Sequence, residues 1–83
     1  MGYVFQPSEI LDTIYNEILD KHELASNEYA AKAISEVRDF LDNKHPELDY
    51  TEEIFGDAAY GACAFAWIEN SRPVLLLFQY IND

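Results

Sequence analysis

The chain has 83 residues, 49% of them hydrophobic and 14% aromatic, and a formal net charge of −11 from 16 acids and 5 bases. Its size suits one domain spanning 1–83 with a modest core, and its charge argues against direct contact with nucleic acid or an anionic membrane. The single cysteine, Cys63, excludes an internal disulfide and multi-thiolate metal ligation, and it points to a reducing, cytoplasmic setting.

Met1 to Pro7 lacks the basic and apolar regions of a signal peptide, and Tyr3-Val4-Phe5 is apolar enough to add an edge strand to a sheet. Gln6-Pro7-Ser8 reads as a helix start, with Ser8 placed to accept from a free backbone N–H. The first helix carries Ile10, Leu11, Ile14, Tyr15, Ile18 and Leu19 at the spacing of one apolar stripe. Glu9, Asp12, Asn16, Glu17, Asp20 and Glu23 occupy the opposite, almost uniformly acidic side.

Ser26-Asn27 can cap a second helix with the stripe Tyr29, Ala30, Ala33, Ile34, Val37, Phe40 and Leu41. Its outward face mixes signs, with Glu28–Lys32, Lys32–Glu36 and Arg38–Asp42 at the i,i+4 spacing. Asn43-Lys44-His45-Pro46 ends it, because the residue before proline disfavours helical geometry. Asp49 and Glu52 have capping-box spacing and Gly56 suits a C′ position, so a short third helical turn is expected over Tyr50 to Phe55.

Ala58 to Ile68 and Val74 to Ile81 are apolar runs separated by Glu69-Asn70-Ser71-Arg72-Pro73, which reads as an antiparallel β-hairpin with a loop of about five residues. A helix from Ala58 to Glu69, capped by Asp57, competes with the first strand, since its five alanines fit either state. In the strand reading Tyr60, Ala62, Ala64, Ala66 and Ile68 share one face, and Gly61, Cys63, Phe65 and Trp67 share the other. The expected fold class is therefore α+β.

Reactive constellations are missing from this pattern. Ala62-Cys63-Ala64 on an apolar strand reads as core, His22 and His45 as helix-end histidines, and the three glycines form no phosphate loop, so no cofactor, metal or catalytic role is expected. Aromatic side chains that stack on nucleic-acid bases sit in positive grooves, the opposite of this field.

Residues 1–57 hold 14 of the acids against four bases, whereas residues 58–83 carry a net charge of −1. The leading functional expectation is a small inhibitor or antagonist of a basic, nucleic-acid-handling protein, of the immunity, antitoxin or phage anti-defence kind, imitating a phosphate backbone. It would bind through Glu9, Asp12, Asn16, Glu17, Asp20 and Glu23, continued by Asp49, Glu52 and Glu53. The alternative expectation is a non-catalytic homo-oligomeric adaptor or structural subunit. Two helices cover only one face of an apolar hairpin, so a homodimer is expected, with Phe65, Trp67, Leu75 and Leu77 as the interface.

Overall fold

The computed structural model describes residues 8–21 and 27–81. The helix α1, Glu9–Glu17, starts where the Ser8 hydroxyl accepts from the Leu11 N–H at 3.0 Å, which satisfies one of the free donors of the first turn. The Ile18 N–H still reaches the Ile14 carbonyl, and a 3₁₀ turn, Leu19–Lys21, follows. The apolar stripe therefore ends in a tighter turn, with Leu11, Ile14 and Ile18 buried and Tyr15 exposed.

The helix α2, Asn27–Lys44, buries Ala30, Ala33, Ile34, Val37 and Leu41. These recur at three- and four-residue steps, so one side of the helix supplies the core contact. Glu28–Lys32 forms as a 3.9 Å surface pair. Arg38 turns to Glu52 instead of Asp42, and Asp42 accepts from the Tyr50 hydroxyl at 2.7 Å.

Three antiparallel strands follow in the order β1-β2-β3: β1 (Thr51–Gly56), β2 (Tyr60–Glu69) and β3 (Arg72–Ile81). The expected helical turn at Tyr50 to Phe55 is a strand instead. Asp49 and Glu52 form no capping box, because β2 offers a complete ladder from Thr51↔Ala66 to Gly56↔Gly61, and Glu52 gains a bidentate guanidinium partner. Tertiary pairing outweighs a weak local signal here.

The C-terminal hairpin forms with a shorter loop than expected: β2 starts two residues later and ends one residue later, and β3 starts two residues earlier. Asn70 and Ser71, with φ of 53° and 65°, close a two-residue turn, and Glu69 pairs directly with Arg72. Such left-handed pairs match the twist of the flanking strands. Strand geometry over Tyr60–Glu69 also removes the helical alternative for Ala58 to Glu69. The N-terminal strand expected at Tyr3-Val4-Phe5 lies outside the described residues.

Both helices contribute to one apolar cluster on one side of the sheet, joined by Cys63, Phe65, Trp67, Val74, Leu76, Phe78 and Tyr80. Burying Phe65 completely contributes roughly 1.5–3 kcal/mol relative to leaving it in water. Gly61 lies opposite Tyr80 in this layer, and a Cβ there would strike the Tyr80 ring. Among the described residues no helix is long and apolar enough to cross a membrane.

Candidate interaction surface

A strand sends alternate side chains to opposite faces, and in β3 this alternation separates two chemically similar sets. Val74, Leu76, Phe78 and Tyr80 are buried beneath the helices, whereas Leu75 and Leu77 remain 47% and 49% exposed. The cross-strand register extends the second set over the sheet: Leu75 stands beside Ala66 and Thr51, and Leu77 beside Ala64 and Glu53. Phe55, 51% exposed, lies across from Ala62 and Gln79. Tyr60, Ile68 and Ile81 are exposed at the ends of the same face.

Taking about 200 Å² for a large apolar side chain in water, these residues leave on the order of 600 Å² of apolar surface on this face. That lies at the upper limit of the roughly 300–600 Å² typical of the largest patch on a monomer. Along the three strands Glu53 is the only charged side chain directed to this side. Relief is also uneven. Ala62, Ala64 and Ala66 form a low trough on β2, bordered on β3 by the Leu75–Leu77 ridge. A depression of about 490 Å³ lies at the Thr51, Ala66 and Leu75 end, and one of about 620 Å³ lies at the Phe55, Ala62 and Gln79 end.

The side chains expected to form one oligomer interface divide between the two faces. Leu75 and Leu77 are on the open one. Phe65 and Trp67 are core residues, only 0% and 3% exposed, because both point into the helical layer, and they are withdrawn as surface candidates. Alternation fixes facing within each strand, and turn length fixes it between strands: a five-residue loop would pair Phe65 with Leu77, whereas the two-residue turn pairs Phe65 with Leu76 and sends Leu77 to the other face.

Acidic candidates are distributed as well. Glu9, Asp12, Asn16, Glu17 and Asp20 are exposed on α1 and the 3₁₀ turn, while Glu23 lies outside the described residues. Asp49 borders the first depression and Glu53 belongs to the open sheet face, on the far side from the helices. Glu52 accepts from Arg38 Nε at 2.9 Å and Nη2 at 2.7 Å, and this pairing raises the guanidinium pKa. The acids of 47–57 therefore do not continue the α1 row as one surface.

Burial pushes the Cys63 thiol up to about 11, so at neutral pH it is protonated and enclosed. Tyr50 is pushed up to about 12, first by desolvation and then by its hydrogen bond to Asp42. Among the described residues no group of three potential ligands converges on a metal position. His45 makes an edge-on contact with Phe40 at 5.2 Å and lies 3.9 Å from Glu47. Sequence reasoning missed Phe55, Tyr60, Ile68 and Ile81 as surface candidates; the strand alternation on β2 and β3 carried the signal for the last three. Comparison with protein-family models, curated proteins and solved structures finds no match.

Proposed function

We propose that the protein is a non-catalytic protein-interaction module that binds through the open face of its sheet. One observation carries this reading: a nearly uncharged apolar face, centred on Leu75 and Leu77, on a chain whose net charge is −11. Surfaces of this extent are kept in water at a cost in solubility, and a bound protein removes that cost. The acids then keep the remaining surface soluble. The test compares the wild-type chain with Leu75→Asp/Leu77→Asp in concentrated lysate by sedimentation. Wild type is expected above its 9.6 kDa chain mass and the folded variant at it; identical migration of the two as free chains removes the reading.

A second reading, an antagonist of a basic nucleic-acid-handling protein, is favoured by the exposed acids of α1. Glu9, Asp12 and Glu17 on α1 and Asp20 on the 3₁₀ turn present anionic groups with no Lys or Arg between Glu9 and Asp20. Such a row can meet a surface that holds phosphates. Asp12→Asn/Glu17→Gln/Asp20→Asn removes charge while keeping shape. Slower association with a flatter salt dependence is expected under this reading, and unchanged values discard it.

A further inference from the structure

We infer that the occupant of the open sheet face is a second copy of the same chain, packed sheet against sheet with the Leu75–Leu77 ridge of each copy in the alanine trough of the other. The inference rests on the protein-interaction reading and names its partner.

Charge is the first argument. A second copy also carries −11, so it can approach only through a surface from which acids have been withdrawn. The open face comes nearest to such a surface, with Glu53 as its sole strand acid, Asp49 at its border and the α1 acids on the helical side. Area is the second. On the order of 500 Å² of this apolar surface lies on β2 and β3, and with the alanine floor between it makes up the larger part of the roughly 800 Å² per partner of a standard stable interface.

The third argument is shape, which also selects the symmetry. Consider a two-fold axis parallel to the strands and midway between β2 and β3. It lays each copy's β3 over the other's β2. Because Leu77 is already in register with Ala64, and Leu75 with Ala66, the same axis places Leu77 over the second copy's Ala64 and Leu75 over its Ala66. Large meets small at these two central positions, as interdigitating layers about 10 Å apart require, while Tyr60 and Ile81 meet at one end of the contact. An axis centred on β2 instead would press alanine on alanine and bring Glu53 onto Leu77, burying a carboxylate among methyl groups. The chosen axis leaves Glu53 at the rim, in water.

Purified protein and size variants at two surface positions test the arrangement. Wild type at tens of micromolar should sediment at twice 9.6 kDa. Leu77→Ala removes the ridge and Ala64→Leu fills the trough; each should weaken association by about 30-fold or more, the effect of losing a central contact. The double variant Ala64→Leu/Leu77→Ala exchanges large and small across the two-fold and should recover the dimer. Circular dichroism confirms that each variant is folded. A trough-filled Ala64→Leu that associates as well as wild type or better would show unspecific apolar adhesion and overturn the packing. Purified wild type that is monomeric, yet forms lysate complexes lost in Leu75→Asp/Leu77→Asp, would overturn the second copy and keep the interaction module. Wild type free in both settings would end both.

Discussion

The Ser8 hydroxyl donates to Glu69 Oε1 at 2.7 Å, joining the start of α1 to the end of β2 across 61 positions of sequence. The same hydroxyl accepts from the Leu11 N–H, and the Trp67 indole donates to the same carboxylate oxygen at 3.0 Å. One buried serine thus caps the helix and ties it to the sheet. Ser8→Ala should cost about 0.5–2 kcal/mol, the range for a lost helix cap. Glu69→Gln retains an acceptor for both donors and should cost under about 1 kcal/mol. Urea unfolding followed by Trp67 emission measures both; equal losses would show that the carboxylate charge, not the cap, holds this corner.

Leu76 and Leu77 provide a comparison between the two faces. Leu76 is completely buried, so Leu76→Ala should lower folding stability by about 2–5 kcal/mol through lost contacts and a cavity. Leu77→Ala, measured in solution dilute enough that copies do not associate, should fall within about 0.5 kcal/mol of wild type. A large loss at Leu77 under those conditions would mean that the open face is covered by the chain's own core.

Cys63 should resist thiol reagents in the native protein and react at the rate of unfolding, because it is buried and its thiol titrates near 11. The folded pKa is raised above the ordinary thiol value. Its contribution to stability is therefore complete below about pH 8.5 and declines as the pH rises from there through the folded value. Cys63→Ala should remove this alkaline dependence at a packing cost of about 1 kcal/mol, and it should leave association intact. Rapid native-state labelling would place the thiol outside the core.

Asp57 organises the β1–β2 turn by accepting from the Ala59 and Tyr60 N–H groups, both at 2.9 Å, while its own N–H donates to the Tyr60 carbonyl at 2.8 Å. The Tyr60 and then the Ala59 donor hold its carboxyl below the usual value. A depressed folded pKa means that the turn is fully supported above about pH 4 and loosens as the pH falls through the folded value. Amide exchange at Ala59 and Tyr60 should accelerate in that acidic range and in Asp57→Ala at neutral pH. Exchange that is unaffected in Asp57→Ala would show that the strand ladder alone holds the turn.

Local chemistry determined a substantial part of this protein. The Ser8 cap, the arrest of α2 before Pro46, the face shared by Cys63, Phe65 and Trp67, and the antiparallel hairpin all follow from spacing and backbone preference. Tertiary structure decided the rest. Thr51–Gly56 is a strand because β2 and Arg38 satisfy it better than one isolated helical turn can satisfy itself. The helices cover Phe65 and Trp67 rather than the alanines because the bulky face has more surface to remove from water, which leaves Leu75 and Leu77 outside. Alternation in a strand fixes which side chains travel together; which of the two faces meets the helices depends on packing that no short segment of the chain contains.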